Sequence, residues 1–562
     1  MASSTLSRDE ATDRLTGPGG EFEIAEVPIR GVPTKVFTTA PPTLVHTLEA
    51  SRQYGDRTFV VYEDDRWTFA EHYAIVARLA HRLVDDFGVA KGDRVAIAMR
   101  NYPEWIATFW ATTAAGAVVV PLNAWWTAGE LEYALVDSGA TVLVADESRA
   151  LALDDHLGDT AITTRIVAKG QVDGWIPFDE VVAGWGDDEV PTIDLEPDDD
   201  ATIFYTSGTT GVPKGAVGTH RNICTITANA QFALARGALQ AGKELPPPTE
   251  RPQAGRLLSV PLFHVTGCHA TMVGSTAAGS KLVMMYRWNP ERALELIERE
   301  RLNAFGGVPS MVWQVLESPN FADHDLSSVT QIGYGGAPAP PELVRRISEH
   351  FPVAAPGNGY GLTETSSVAI SNGGADYIAK PHSIGLPLPV VDVKIVDPTG
   401  AELPTGEVGE LLIKGANVVR GYWNKPEETA ASFVDGWLHT GDLASIDEDG
   451  FVIIADRAKD VVIRGGENVY CAEVEGVLYE HPAVTEVTVI GVPHRVLGEE
   501  VGAVVVFRPG ASATVEELQA HVKENLAGFK VPTHVWFRDE PLPRNPAGKV
   551  LKRELREELL ES

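Results

Sequence analysis

The 562-residue sequence has little cysteine and little positive charge. Cys224, Cys268 and Cys471 are too few and too widely spaced for a disulfide framework or a cysteine-based metal site, which predicts a reducing compartment, the cytoplasm. Only 46 Lys and Arg stand against 78 Asp and Glu, so the net charge is −32. Because phosphate backbones and anionic lipids are bound by basic surfaces, this charge argues against nucleic acid and anionic membranes as partners.

Long apolar runs are also scarce. The N-terminus has no apolar region of the kind that marks a secretory signal. Residues 105–122 are uncharged and approach the length of a membrane span, but three threonines, many small residues and Pro121 weaken the apolar character. We interpret this stretch as a buried helix that leads into a buried strand, and we predict no transmembrane segment.

What remains is the pattern of a large α/β protein. From about residue 43 to 150, amphipathic helices alternate with short strands rich in Val, Ile and Ala, which favours largely parallel sheets. After about residue 390, tight alternation between Gly and Asp turns predicts a small β-rich subdomain, followed by a compact α+β domain. We predict a disordered tail over 1–20, a large N-terminal domain of stacked α/β subdomains over 21–458, and a small C-terminal domain over 459–562.

The segment around residues 205–215 carries the strongest chemical signal. It follows a predicted strand directly and combines glycines, hydroxyl side chains and one lysine, a composition that can surround phosphate oxygens. It lacks the Gly-Lys-Ser/Thr spacing of a Walker A loop, and a flexible Gly/Thr linker is the plain alternative. The candidate phosphate ligands are Thr206, Ser207, Gly208, Thr209, Thr210 and Lys214.

This segment resembles the phosphate-loop signature of the adenylate-forming acid ligases, the family of the acyl-CoA synthetases, firefly luciferase and the adenylation domains of peptide synthetases. The resemblance extends over about 350 residues, at intervals like those of the family. It implies an adenylate-forming N-terminal domain and a mobile C-terminal domain. The further matching segments are PLFHVTG (261–267), GGAP (335–338), NGYGLTET (358–365), GWLHTGDL (436–443), DRAKD (456–460), IRGGENVY (463–470) and PRNPAGKVLKR (543–553).

The resemblance implies a site for ATP and AMP. In the family the equivalent of Thr363 contacts the α-phosphate and that of Glu364 holds Mg²⁺, a hard cation for which one carboxylate plus substrate phosphates suffices. Asp442 and Arg457 resemble the ribose-binding groups, and Tyr360 offers a flat face to a purine. The turn that lies against adenine is expected at Gly336, Ala337 and Pro338. The alternative to these nucleotide-binding roles is purely structural: a tyrosine in the core, a solvent-exposed glutamate and ordinary turns.

The C-terminal residues take their expected roles from the resemblance alone. Lys549 resembles the lysine that contacts both the carboxylate and ATP during adenylation, and Lys459 stands at the hinge position. Gly465 and Gly466 resemble the loop that enters the site for the second half-reaction. Cys471 stands where the family commonly has proline.

The acyl pocket is less specific. His264 occupies a position where peptide-synthetase domains usually carry an aspartate for the α-ammonium group, which argues against an α-amino acid substrate. Small side chains predominate, which favours an open channel for a medium- or long-chain fatty acid or a bulky ring acid. The residues expected to line it are His264, Thr266, Gly307, Gly335, Ser367 and Val368.

We therefore predict an AMP-forming acyl-CoA synthetase that uses ATP, CoA and Mg²⁺, with His264, Thr363, Glu364 and Lys549 as catalytic residues. A stand-alone amide ligase that passes the acyl adenylate to an amine shares all these segments. A peptide-synthetase module is disfavoured because no carrier domain follows Lys549, and a luciferase is a rarer family member. Two other classes, an inactive nucleotide-binding regulator and an NAD-dependent oxidoreductase, fit poorly, since the charged site groups are present and no glycine cluster fits G-x-G-x-x-G. A homodimer is left open.

Overall fold

The computed structural model describes residues 6–184, 189–206, 213–337, 339–465, 467–545 and 548–561. Two large sheets flanked by helices form the part of the chain before residue 388, and two smaller sheets follow. A short hairpin of Ile24–Ile29 and Val32–Phe37 precedes them. This α/β architecture confirms the predicted fold class.

The first large sheet is parallel except at one edge, where its first two strands run antiparallel. The strand at 94–98 lies between those at 118–121 and 142–146, so the winding reverses there. The carboxyl ends of these three strands therefore flank a crevice. In spatial order the strands are Lys214–Thr219, Asp200–Thr206, Val118–Pro121, Arg94–Ala98, Val142–Asp146, Thr164–Ala168 and Ile176–Pro177.

The second large sheet has a parallel centre and antiparallel margins. Its central strands end at Gly307, Gly335 and Tyr360, which places three predicted site segments at one edge. In spatial order the strands are Leu386–Pro387, Ile370–Gly373, Ala355–Tyr360, Gln331–Gly335, Ala304–Gly307, Gly255–Leu258, Lys281–Met284, Thr58–Tyr62 and Asp65–Thr68.

The two smaller sheets correspond to the β-rich and α+β segments predicted after residue 390. The first consists of Val391–Val396, Gly409–Gly415, Phe433–Val434, Trp437–Ile446 and Val452–Arg457. The second consists of Val462–Arg464, Glu467–Val469, Val484–His494, Gly498–Phe507 and His534–Arg538.

Many of the helices begin where the sequence supplies a capping group or a proline. Thr68, Thr127, Thr219 and Thr514 each accept a hydrogen bond from the third backbone N–H of the helix they precede. The α-helices are Arg8–Thr16, Leu44–Ser51, Phe69–His81, Pro103–Ala114, Ala128–Ser138, Glu147–Leu153, Phe178–Val181, His220–Gln240, Gly274–Ala278, Pro290–Glu300, Pro309–Leu316, Pro341–His350, Gly374–Ala379, Pro426–Ser432, Cys471–Tyr479, Val515–Asn525 and Lys552–Glu561. Short 3₁₀ helices lie at Arg52–Tyr54, Asp154–His156, Phe321–Asp323, Thr363–Thr365 and Gly528–Lys530. Two π-helical segments lie at Arg82–Asp86 and Thr266–Val273.

The uncharged stretch at 105–122 is the centre of the core. It forms the helix Pro103–Ala114 and the strand Val118–Pro121, and every residue of both elements is buried. Trp105 stacks on Phe109, whose ring centroid lies 5.9 Å away. The predicted helix-to-strand interpretation is confirmed. No helix of the described residues has both the length and the apolar character that crossing a bilayer requires.

The prediction of a disordered tail over residues 1–20 is wrong for residues 8–16, which form a helix. Ser7 and Glu10 form a capping box that starts the helix Arg8–Thr16, and Ala11 and Leu15 are buried on its inner face. Leu15 belongs to an apolar cluster with the aromatic rings of Phe22, Phe37 and Phe232. The two apolar residues are spaced one helical turn apart, a signal too short to stand out in a polar segment.

Replacing Leu15 by alanine is expected to release this helix, because the substitution removes buried apolar contacts worth about 2–5 kcal/mol. Hydrogen exchange measured by mass spectrometry should accelerate over residues 8–16 and stay unchanged in the strand 94–98. The exposed neighbour Asp13 supplies the control, since Asp13→Ala should leave the exchange of the helix intact. Fast, coil-like exchange over 8–16 in the unmodified protein would contradict the docked helix.

Candidate active site

The predicted phosphate loop leaves and re-enters the first sheet at one point. Thr206 ends one strand, Lys214 begins the next, and the two residues are paired antiparallel. Ser207, Gly208, Thr209 and Thr210 lie outside the described residues. The Lys214 ammonium lies 5.5 Å from the ring centroid of Tyr422, a cation–π contact that holds the lysine at the base of the loop.

Glu364 is held by a residue that the sequence did not single out. Thr363 and Glu364 lie in the short 3₁₀ turn Thr363–Thr365. The Tyr422 hydroxyl donates to Glu364 Oε1 at 2.8 Å, and the Val419 amide donates to the Glu364 carbonyl at 2.9 Å. Tyr422 thus contacts both the carboxylate and Lys214. Only its position in a Gly-Tyr-Trp run could have drawn attention to it.

The same segment is fastened to the strand that follows the phosphate loop. The Trp423 amide donates to the Gly215 carbonyl at 2.7 Å, and the Val217 amide donates to Gly421 at 2.9 Å. These backbone bonds fix the strand that begins at Lys214 relative to the segment that holds Glu364.

Tyr360, Asp442 and Arg457 form a second group of contacts. The Tyr360 hydroxyl donates to Asp442 Oδ2 at 2.6 Å, and Arg457 Nε lies 3.6 Å from Asp442 Oδ1. Asp442 and Arg457 face each other across neighbouring strands. Burial, together with the negative charge of Asp442, raises the pKa of Tyr360, so its hydroxyl stays protonated and continues to donate.

Lys549 reaches this group from the C-terminal segment. The pKa of its ammonium is lowered to about 8, first by burial and then by the charges of Arg457 and Lys459, against the opposing effect of Asp442 and Glu364. The turn is held by Asn545, whose side-chain oxygen accepts from the Lys549 amide at 2.9 Å.

The same turn is pressed against the N-terminal part of the chain. Gly548 has a φ of +78°, and a side chain there would clash with Val308. Only glycine therefore fits at this contact, which seats Lys549 beside the carboxylates.

His264 lies close enough to Lys549 for the charge of the ammonium to affect the pKa of the imidazole. Burial lowers the pKa of His264 to about 4, and the positive charge of Lys549 acts in the same direction. The imidazole is therefore neutral at physiological pH. Within the described part of the chain its buried Nε2 has no hydrogen-bond partner. Among the described residues, the site thus holds a neutral, buried nitrogen whose hydrogen-bonding capacity is unused.

The predicted acyl-pocket residues gather at the edge of the second sheet. Gly307 has a φ of +136°, and a side chain there would meet Ser259 and Met311; at Gly335 it would meet the Gly359 carbonyl. The pocket residues Ser367 and Val368 follow the Glu364 turn, and Ser367 has a φ of +117°. Such backbone conformations cost on the order of 1–3 kcal/mol and concentrate at ligand sites. Thr266 begins the widened helix Thr266–Val273.

The adenine-side turn is only partly described. Gly336 and Ala337 follow the strand Gln331–Gly335 directly, and Gly336 has a φ of +76°. Pro338 lies outside the described residues.

The predicted hinge and the CoA-side loop are exposed. Lys459 is exposed just after the strand Val452–Arg457. Gly465 occupies an exposed turn with a φ of +62°, and its amide donates to Leu497 at 2.7 Å. Gly466 lies outside the described residues. The Cys471 amide donates to Asp456, a bond that proline could not form, and its thiol donates to the Asp460 carbonyl at 3.0 Å.

Comparison with known proteins matches this arrangement to one family. The protein-family model for "AMP-binding enzyme" matches residues 48–423. The family model for "AMP-binding enzyme C-terminal domain" matches residues 473–549.

Several relatives match nearly the whole chain. A feruloyl-CoA synthase of Amycolatopsis sp is 38% identical over 489 residues, which are 87% of this chain and 93% of the relative. A long-chain-fatty-acid–CoA ligase of Bacillus subtilis is 35% identical over 550 residues, with coverage of 92% and 94%. The solved structure of the amide bond synthetase McbA from Marinactinospora thermotolerans superposes with a TM-score of 0.80 at 29% identity, covering 91% of this chain and 99% of that one.

Lys549 is expected to titrate near pH 8, whereas its neighbour Lys552 should stay charged. Burial alone would lower the pKa of Lys552, but Glu475, 2.8 Å away, acts together with Cys471 and Asp456 to outweigh burial and raise it. Competitive acetylation followed by mass spectrometry reports the free-amine fraction of each lysine as pH rises. A Lys549 profile as alkaline as that of Lys552 would show that Lys549 is not seated in the site.

Proposed function

Because the chain belongs to the AMP-binding enzyme family of adenylate-forming enzymes, we propose that it is an acid–CoA ligase that activates a carboxylic acid with ATP and then transfers the acyl group to CoA. The observation that carries the proposal is the position of Lys549. A lysine from the C-terminal segment lies beside Glu364, Asp442 and Arg457 of the N-terminal part. Such a group counters charge at the one place where three anions, the acid, the α-phosphate and pyrophosphate, must meet.

The first half-reaction needs no nucleophile from the protein. A carboxylate oxygen of the acid attacks the α-phosphorus of ATP, the bond to the bridging oxygen breaks, and acyl-AMP and pyrophosphate form. Catalysis is alignment of the two anions and neutralisation of their charge. We assign alignment of the α-phosphate to Thr363 and charge neutralisation to Lys549. Lys214 and the phosphate loop hold the departing pyrophosphate.

The carboxylate of Glu364 fits a magnesium ion. Its Oε1 accepts from Tyr422, and Oε2 has no donor among the described residues. An oxygen ligand open to solvent suits a hard cation that keeps water and phosphate oxygens as its other ligands. Mg²⁺ bound there would neutralise phosphate charge, and Tyr422 would hold the carboxylate in place for it.

The nucleoside is held by the second group of contacts. Asp442 offers carboxylate oxygens to the ribose hydroxyls, with Tyr360 and Arg457 fixing its orientation. We assign the edge against adenine to Gly336 and Ala337; Pro338, predicted beside them, lies outside the described residues.

In the second half-reaction the CoA sulfur attacks the acyl carbonyl carbon, the bond to the AMP oxygen breaks, and AMP leaves with the thiol proton released. We propose that the C-terminal domain turns about Lys459, withdrawing Lys549 and bringing in Gly465 and Gly466. His264 borders the thiol path, and its neutral, unpartnered Nε2 can take the thiol proton. The three unpaired cysteines suit the cytoplasm, where CoA and ATP are available.

The acid we propose is a medium- or long-chain fatty acid or a bulky hydrophobic acid. Gly307 and Gly335 leave the channel without side chains at two points. The structural similarity to an amide bond synthetase supports a second candidate, in which an amine rather than CoA receives the acyl group.

The proposal is tested by measuring pyrophosphate and AMP release with a panel of fatty, aryl and steroid acids, with CoA or with free amino acids as acceptor. We expect acid-dependent pyrophosphate release, and AMP release that CoA stimulates. AMP release stimulated by amines alone would favour the second candidate. No acid-dependent release with any acid would overturn both.

Lys549→Ala is expected to slow adenylation roughly 100- to 1,000-fold, the size typical for loss of a charge-stabilising group. Transfer from supplied acyl-AMP to CoA should remain, because Lys549 is withdrawn in that step. Lys552→Ala provides the matched control in the same segment. Equal loss of both half-reactions in Lys549→Ala would contradict the two-conformation mechanism.

A further inference from the structure

The turn that carries Thr363 and Glu364 is followed by two residues in strained conformations. Ser366 has a φ of +55° and Ser367 a φ of +117°, in the region that favours glycine. Both residues are buried. Residues other than glycine keep such conformations only where the surrounding structure holds them. The contacts made by the backbone of this turn therefore determine where Thr363 and Glu364 stand.

One of these contacts comes from a histidine outside the predicted site residues. His269 is buried, and its Nδ1 lies 3.0 Å from the Ser366 carbonyl oxygen. Because a carbonyl oxygen can only accept, Nδ1 carries the proton and donates it. Burial lowers the pKa of the imidazole to about 4, so the ring is neutral at physiological pH. His269 thus acts on the turn as a hydrogen-bond donor without charge.

The neighbouring carbonyl groups of the turn are held as well. Asn417, which is fully buried, donates through its side-chain amide to the Thr365 carbonyl at 3.1 Å. The Val419 amide donates to the Glu364 carbonyl, as described above. Three successive carbonyl groups, at 364, 365 and 366, therefore each accept from a residue that is remote in sequence. Two of these donors follow the strand 409–415, whereas His269 comes from the opposite direction along the chain.

The element that carries His269 belongs to the acyl and thiol side of the site. His269 lies in the π-helical segment Thr266–Val273, a rare type of turn that is frequent at functional sites. The Cys268 amide donates to the His264 carbonyl at 2.9 Å, which fixes the start of the segment to His264. The hydrogen bond from His269 to the turn therefore joins the segment around His264 to the segment that carries Glu364.

The imidazole also packs against the strand that leads to the phosphate loop. The ring centroids of His269 and Phe204 lie 5.0 Å apart, with their planes at 85°. Phe204 is buried in the strand Asp200–Thr206, two residues before its end. Edge-to-face packing of this kind favours one orientation of the ring. The strand before the phosphate loop thus helps to direct the Nδ1 donor toward Ser366.

We propose that His269 is a positioning residue for adenylation: by holding the Ser366 carbonyl, it fixes Thr363 for the α-phosphate and Glu364 for Mg²⁺. The proposal rests on the proposed function, which assigns those roles to the two residues. His269 itself takes part in no covalent step and no proton transfer. It acts through the backbone of the turn, which continues into Ser367 of the predicted acyl pocket.

The test compares two substitutions of the same residue. His269→Leu removes the donor, whereas His269→Asn keeps a side-chain amide nitrogen at the position of Nδ1. In His269→Leu, hydrogen exchange of the amides at 363–367 should accelerate about tenfold, the size expected for one lost hydrogen bond to a buried carbonyl. His269→Asn should restore most of the protection. If His269→Leu does not fold, His269→Gln replaces it, because its amide stands at the position of Nε2 and leaves the Ser366 carbonyl without a donor.

Binding and kinetics show whether the turn acts on the nucleotide. By calorimetry, the affinity of His269→Leu for ATP with Mg²⁺ should fall about tenfold, and that for ATP without the metal by at most about threefold, because displacement of Glu364 affects the metal complex most. The kcat of acid-dependent pyrophosphate exchange into ATP should fall about tenfold. In His269→Asn both values should lie within about threefold of those of the unmodified protein.

His72→Leu supplies the matched control. Burial lowers the pKa of His72 to about 3, so it is also a buried, neutral imidazole, and it packs edge-on against Phe59 at a centroid distance of 4.8 Å. Within the described ranges neither of its ring nitrogens has a hydrogen-bond partner. Replacing it should therefore leave the exchange at 363–367, the affinity for ATP and the kcat unchanged.

Each other outcome counts against one part of the proposal. Unchanged exchange at 363–367 in His269→Leu overturns the positioning role. Faster exchange with equal weakening of ATP binding with and without Mg²⁺, or with no recovery in His269→Asn, indicates general packing and overturns the link to Glu364. Faster exchange that His269→Asn reverses, in a protein with no acid-dependent pyrophosphate release, overturns the proposed function and leaves His269 as the residue that holds the turn.

Discussion

The site depends on one electrostatic compromise, the burial of the Lys549 ammonium. Burial and the nearby cations Arg457 and Lys459 destabilise its charged form, while Asp442 and Glu364 stabilise it. When the pKa of a lysine lies close to the ambient pH, an anion that binds beside it strongly increases the fraction that is protonated. Acid and ATP would raise its pKa and hold it in the site, and loss of pyrophosphate would release it. Substrate charge can thus control the position of the C-terminal segment.

A net charge of −32 is compatible with polyanionic substrates because the positive charges are placed locally. Lys214 stands at the base of the phosphate loop and Lys549 on the C-terminal turn. Each is steadied by an aromatic ring or by nearby carboxylates and not by a broad basic surface. Nucleotides are therefore attracted at these few points, while the rest of the surface repels nucleic acid.

Much of the fold was predictable because it follows from local patterns. The stretch at 105–122 shows this, since uniform burial of a helix and a strand leaves an uncharged run. The site segments were predictable by resemblance, and their roles stay predictions. Tyr422 was missed because its contact with Glu364 joins residues 58 positions apart and depends on the sheet arrangement. The docking of the N-terminal helix was missed for the same reason, because Leu15 packs against residues far along the chain.

The most direct test of the central claim is exchange of labelled pyrophosphate into ATP without CoA. The account places acid, ATP and Lys549 together before CoA is needed, so exchange should require a carboxylic acid and should be suppressed in Lys549→Ala. In the substrate-free protein the Lys549 ammonium loses its charge as the pH rises through about 8. The affinity of this form for the acid and ATP should therefore fall over the same pH range. Exchange that is independent of added acid, or unaffected by Lys549→Ala, would contradict the account.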